Sequence, residues 1–208
     1  MLTRRETLAI GSAAFVVSAS GAALAQDRKN PMPDELRRAI ERDPASPVLG
    51  NPNGDVTLTE FFDYNCQYCR RMLPTVQRLI ADDKNLRVVF WEWPVFGEGS
   101  MYATQVSLSA LRQGKYWQFH SGLMAQRGQA NEVSAMRVAR EVGLDMDRVQ
   151  RDMQSDAVFS QIDKARELGD HMGLIGTPTF IAGDEGVFGH QTMDSLKAMI
   201  AEARRVLG

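Results

Sequence analysis

The chain predicts an α/β fold: a βαβ unit, then an all-α insertion, then a closing ββα unit. Three observations predict it. The apolar run Val56 to Phe62 leads into helical spacing at Leu73, Val76, Leu79 and Ile80, and then into a second run, Leu86 to Val95. Between about 97 and 173 the periodicity is helical throughout. After Gly176-Thr177-Pro178 come two short strand-like runs and one amphipathic stretch, Gln191 to Val206.

The 208 residues are 44% hydrophobic with a formal net charge of −2, which bounds the chain to one domain with a core of normal size. No basic excess points to nucleic acid. Residues 1–25 read as an export signal peptide. Arg4 and Arg5 open it, Leu8 to Leu24 is apolar or small, and Ala23-Leu24-Ala25 offers a cleavage site before Gln26. Its Ser, Gly and Ala content is weakly apolar for a membrane span. Thr3-Arg4-Arg5-Glu6-Thr7-Leu8 partly resembles a twin-arginine signal, departing from it at Thr7 and in having no lysine after Leu8. The Sec and twin-arginine routes therefore both stay open, and either implies a periplasmic protein.

Residues 26–47 read as a polar tail followed by a short helix, Pro33 to Glu41, with Leu36 and Ile40 on one face. That helix either packs on its own domain or serves as a handle for a homo-oligomer through residues 33–43. Residues 48–208 form the main domain. Val48 and Leu49 add a short strand. Val56 to Phe62 is the first long strand, a helix follows from Cys66 to Asp82 with Pro74 inside it, and Leu86 to Val95 is the second long strand. A helical connection makes the two strands parallel and right-handed. In the insertion, Met101, Leu108 and Leu111 share a face. Asn131 caps a helix that Gly143 stops, and Val158, Ile162, Ala165 and Leu168 mark a longer one. Thr179 to Ala182 and Gly186 to Phe188 pair as a hairpin around Asp184.

The two cysteines of the chain, Cys66 and Cys69, sit where the first strand gives way to the helix. A C-x-x-C suits a redox pair or half a zinc site, and the strand–CxxC–helix context is the redox one. Residues three apart on a helix face each other, so the sulfurs can reach bonding distance. Cys66 falls at the first helical position, where unpaired N–H groups and the positive end of the helix dipole favour a thiolate. Such sites lower a cysteine pKa into roughly the 3.5–7.5 range. Cys66 is therefore the exposed nucleophile and Cys69 the more buried resolving partner. A disulfide closing so small a loop would stabilise the fold little, so its role is chemical.

Glu60-Phe61-Phe62-Asp63-Tyr64-x-Cys66-x-x-Cys69-Arg70, Pro74 and Gly176-Thr177-Pro178-Thr179-Phe180 together resemble the DsbA-like thiol–disulfide oxidoreductases, nearest the Com1/ScsC-type branch. The resemblance runs from about Val48 to Leu207 and implies a thioredoxin fold with an all-α helical insertion between the second strand and the Thr-Pro loop. It further implies a cis Thr177-Pro178 bond that sets the Thr177 backbone beside Cys66, where an extended client could pair with it. By the same comparison Glu60 is a buried acid of raised pKa that exchanges a proton with Cys69. Gln67-Tyr68 stands where the most oxidising members carry Pro-His. No cationic ring then serves Cys66, thiolate stabilisation falls to backbone amides and the Gln67 side chain, and a weaker oxidant is expected.

The expected activity is disulfide exchange with cysteine-bearing client proteins, most simply as a dithiol oxidase recycled by a membrane redox partner and needing no dissolved cofactor. An oligomeric isomerase or reductase is the alternative enzyme. A periplasmic copper-binding protein using the dithiol is the alternative from another class. His120, His171 and His190 lack ligand spacing and read as surface or core residues, so no metal site is assigned. Arg70 and Arg71 read as a solvated helix face. Asp63 and Tyr64 either shape the rim of the site or hold the turn.

Overall fold

The computed structural model describes residues 31–208. The expected signal peptide, 1–25, and the first residues of the tail lie outside the described residues. Five strands form one mixed sheet: β1 (Val48–Gly50), β2 (Val56–Phe62), β3 (Leu86–Glu92), β4 (Thr179–Ala182) and β5 (Glu185–Phe188), in the order β1-β3-β2-β4-β5. The β2 and β3 strands are parallel, with Val56 opposite Leu86 and Phe62 opposite Glu92, and every other pairing is antiparallel. Helix α2 (Gln67–Asp82) makes the crossover. The expected thioredoxin fold is present.

Both faces of the sheet are covered, so all seven residues of β2 and all seven of β3 are buried. One face carries Leu58, Phe62, Val88, Phe90 and Phe180 against α2 and α8 (Met193–Leu207). The insertion packs on this face through α3 (Glu98–Arg112), α4 (Tyr116–Ala125), α5 (Glu132–Glu141) and α6 (Met146–Asp152). The opposite face carries Phe61, Val89, Trp91 and Ile181 against α1 (Asp34–Glu41) and α7 (Asp156–His171). No described helix is long and apolar enough to cross a membrane.

Two of the boundaries that differ from expectation shape the site, each for a local reason. The second strand stops at Glu92 rather than Val95. Pro94 cannot donate to a ladder, and the N–H groups of Val95 and Phe96 instead donate to the Asp63 carboxylate at 2.7 and 3.0 Å. Helix α2 begins at Gln67, which makes Cys66 its N-cap rather than its first helical residue. Extended backbone at Cys66 lets its own sulfur accept from the Cys69 N–H at 3.2 Å.

Helix α1 turns its apolar side inward. Ile40 is wholly buried, its carbonyl accepts from Trp91 Nε1 at 2.8 Å, and Leu36 packs in the same cluster. Arg37 bonds the Gly183 carbonyl at 2.6 Å and pairs with Asp184, tying the helix to the β4–β5 turn. Gly183 has a φ of +60°, and a Cβ there would stand 3.0 Å from Ala203 of α8, so the turn demands glycine twice over. The apolar residues of the segment 33–43 thus face their own domain.

Candidate active site

The site is built where β2 ends. Asp63, Tyr64 and Asn65 form a turn closed by the Cys66 N–H donating to the Asp63 carbonyl at 3.1 Å. Asp63 is 1% exposed and holds four donors. Besides Val95 and Phe96, its carboxylate accepts from the Asn65 N–H at 2.6 Å and from Ser100 Oγ at 2.7 Å. Asn65 exchanges bonds with the Ala130 backbone, Nδ2 to the carbonyl at 3.0 Å and the amide to Oδ1 at 2.7 Å. Arg70 bonds three carbonyls, Tyr64 at 2.7 Å through Nε, and Gln126 at 3.3 Å and Gly128 at 2.5 Å through Nη1. The insertion therefore grips the turn that precedes Cys66.

This corrects one sequence reading. Arg70 is half-buried and clamps the loop between α4 and α5, whereas Arg71 is exposed and lies over the Tyr68 ring at 5.0 Å. Truncating Arg70 to alanine strands three carbonyls. Arg70→Ala is expected to cost about 2 kcal/mol of stability, read as a lower urea midpoint with an unchanged slope.

Cys66 and Cys69 are both free thiols. Cys66 is not exposed as expected and retains 2% of its accessible surface, whereas Cys69, expected to be the more buried, retains 1%. The N-cap position and the neighbouring Thr177 loop cover the first sulfur, whose Sγ lies 3.2 Å from the Thr177 carbonyl. Their electrostatics diverge sharply. A hydrogen bond from the Cys69 thiol holds Cys66 down at about 6 against the opposing cost of burial, with help from the Thr177 side chain and the N–H groups of Cys69 and Tyr68. Burial pushes the Cys69 thiol far up, and the bond it gives to Cys66 and the charges of Glu60 and Cys66 push the same way. Gln67, expected to assist, is exposed and is not among these partners.

The remaining expected residues converge on the same place. Thr177-Pro178 is a cis peptide. Gly176 precedes it with a φ of +155°, and a Cβ there would meet the Phe188 ring at 2.9 Å. Glu60 sits on the central strand between Phe90 and Phe180 and is 4% exposed, so its apolar flanks did signal burial. Burial raises its carboxyl to about 8, and the Cys66 charge adds to the rise. His120 is a core residue, whereas His171 and His190 are exposed. Among the described residues no group of three or more His, Cys, Asp or Glu side chains could hold a metal ion.

Sequence reasoning missed three members of this neighbourhood. Asn65 carried no signal for its role and the charge of Arg70 suggested solvent, because their partners include backbone atoms about 60 residues away. Glu92 carried one: an acid between Trp91 and Trp93 on a strand buried on both faces must itself be buried.

Comparison with known proteins agrees with this geometry. The family model described as a DSBA-like thioredoxin domain matches residues 57–201. A thioredoxin-like oxidoreductase from Silicibacter pomeroyi DSS-3 is 47% identical, with a TM-score of 0.80 over 81% of this chain and 98% of that one. A periplasmic thioredoxin-like protein from Salmonella enterica serovar Typhimurium is 26% identical, with a TM-score of 0.73 over 84% of this chain and 98% of that one. The Na(+)/H(+) antiporter NhaA 3 of Salinispora tropica is 26% identical over 158 residues, which are 75% of this chain. The chain spans about a quarter of the length of that curated relative, 24%. With its family model covering most of the described residues, the chain belongs to the DsbA-like thioredoxin-domain family.

Proposed function

We propose that the chain is an exported dithiol oxidase that passes the Cys66–Cys69 disulfide to cysteine-bearing client proteins in the periplasm. The observation that carries this reading is the split between the two thiols: Cys66 held at about 6, Cys69 driven up. Stabilising one thiolate favours the dithiol, and a stabilised dithiol makes its disulfide the better oxidant.

The steps follow from the geometry. A client thiolate attacks Sγ of Cys66, the bond to Cys69 breaks, and the electron pair leaves on Cys69 sulfur. That sulfur takes a proton, and Glu60 is the buried acid nearest in charge to supply one. A second client thiolate then attacks its own mixed-disulfide sulfur, leaves with the disulfide, and releases Cys66 as a thiolate. The Thr177 carbonyl beside Cys66 offers an acceptor to an extended client backbone. Tyr68 of the motif, Phe96 and Ile175 of neighbouring loops and Phe188 at the end of β5 are exposed large apolar side chains, and suit unfolded clients. A membrane redox partner returns the pair to the disulfide. Residues 1–25 and the periplasmic relative support export.

The measurement that tests the direction is the reduction potential of the pair. The expected value lies between about −270 mV, typical of a reductant with a cysteine near 7, and about −120 mV, typical of a strong oxidase. A value at or below about −270 mV overturns the oxidase reading and leaves a reductase. The same logic predicts that the dithiol form unfolds at a higher denaturant midpoint than the disulfide form above pH 7.

A further inference from the structure

The exchange steps leave one cluster of buried polar groups unused. Glu92 closes β3 and is 4% exposed. Its Oε1 accepts from Ser107 Oγ at 2.6 Å and lies 3.5 Å from the Tyr64 hydroxyl. That hydroxyl sits 2.6 Å from Ser107 Oγ and 3.3 Å from His120 Nδ1. One assignment satisfies the three shorter contacts and leaves the 3.5 Å approach of Tyr64 to Glu92 without a proton of its own: His120 N–H donates to Tyr64, Tyr64 donates to Ser107, and Ser107 donates to Glu92.

The other carboxyl oxygen, Oε2, is buried with no hydrogen-bond partner. The groups that face Glu92 are Tyr64 from the turn, Thr104 and Ser107 from α3, and Tyr116 from α4. His120 of α4 joins them through Tyr64, and Glu60 occupies the same sheet face two residues back on β2. No lysine or arginine is among them, and burial holds His120 neutral, at about 3. An ionised carboxylate with a bare oxygen and no cation is far more costly there than a carboxylic acid. Burial raises Glu92 to about 8 against the lowering pull of hydrogen bonds from Ser107, Tyr116, Thr104 and Tyr64.

Tyr64 is where this cluster meets the redox pair. Its ring is wholly buried against Phe62, Phe119 and His120. Its carbonyl is held by Arg70, and it stands two residues before Cys66 in the turn that makes Cys66 an N-cap. We propose that Glu92 is a positioning residue for the exchange reaction: carrying a proton, it fixes Ser107 and Tyr64, and Tyr64 fixes the turn that presents Cys66 to the helix N-terminus. Ionised, Glu92 draws the hydroxyls toward an uncompensated charge, and the turn loosens. The inference rests on Cys66 being the exchanging sulfur but not on the direction of exchange.

Iodoacetamide alkylation of Cys66, followed from pH 5 to 9.5, tests it. Because Glu60 titrates in the same range, the comparison is made between Glu60→Gln and Glu60→Gln/Glu92→Gln. The first is expected to show the thiolate ionisation near 6 and a second change in rate near 8. The double variant keeps the first step and stays flat, within about twofold, from pH 7 to 9.5. Tyr64→Phe cuts the link without touching the acid, and Ser107→Ala does so with less volume changed should Tyr64→Phe fail to fold. Either is expected to alkylate about fivefold more slowly at pH 6, the loss of thiolate that a rise of one pKa unit brings. Survival of the second step in the double variant overturns the proposal. So does a wild-type rate at pH 6 in both Tyr64→Phe and Ser107→Ala. A merely structural role for these residues would lower thermal stability and leave the alkylation profile in place. Client oxidation by the unaltered chain is measured alongside, so that failure of the oxidase reading is seen separately.

Discussion

Cys66→Ser is expected to abolish client oxidation, while Cys69→Ser attacks once and stalls. The asymmetry follows from the two sulfurs' surroundings. Cys66 accepts hydrogen bonds from the Cys69 side, lies beside the Thr177 loop, and ionises at about 6, so at pH 7 most of it is thiolate. Cys69 is pushed so far up by burial that it stays protonated across the working range. With Cys69→Ser, Cys66 remains nucleophilic and attacks a client disulfide, and no neighbouring thiol frees the complex. A stable mixed disulfide is the readout, on a non-reducing gel and by intact mass. Serine at position 69 keeps a side-chain donor and the backbone N–H that Cys66 accepts from, so Cys66 of this variant should still ionise below the ordinary cysteine value. Turnover that survives Cys66→Ser, or alkylation of Cys66 with a midpoint near the free-cysteine value of about 8.5, would remove the basis of the mechanism.

Much of this arrangement was legible before any coordinates, and the reasons differ from residue to residue. Continuous apolar runs located the two central strands and a period of 3.6 located the described helices, because a strand buried on both faces and a helix buried on one leave different patterns. The redox pair was legible because three-residue spacing at a strand–helix junction has few other uses. Cis Thr177-Pro178 came only from resemblance, since the dipeptide itself favours trans. Depth was misjudged at Cys66: an N-cap sulfur covered by a loop 111 residues away looks exposed in local sequence. Arg70 misled for the same reason, because its charge type suggests solvent while its partners are distant carbonyls. The Ser107 and His120 contacts to Tyr64 were out of reach, as nothing in a helical pattern says which serine or histidine will meet which tyrosine.

Glu60→Gln is expected to stabilise the reduced protein by about 3 kcal/mol at pH 7 and by little at pH 4.5. The sign follows from linkage. Burial, reinforced by the Cys66 thiolate, raises the folded-state carboxyl to about 8, whereas the unfolded chain keeps the ordinary value, 4.5. The folded state therefore binds this proton more tightly than the unfolded state. Stability is whole below the unfolded value and declines as pH rises toward the folded one, by about 1.4 kcal/mol per unit. Glutamine mimics the protonated acid in shape and cannot ionise, so the decline disappears. Urea midpoints between pH 4.5 and 8.5 read the difference, and Glu92→Gln should show a gain of the same sign, since burial raises that acid to about 8 as well. In the disulfide form Cys66 carries no charge, so the effect at Glu60 should shrink and the effect at Glu92 should not. That contrast separates an acid that senses the redox pair directly from one that acts on it through Tyr64. Equal gains at Glu60 in both redox forms would show that its carboxyl does not feel the sulfur, and would leave the proton for Cys69 to come from elsewhere.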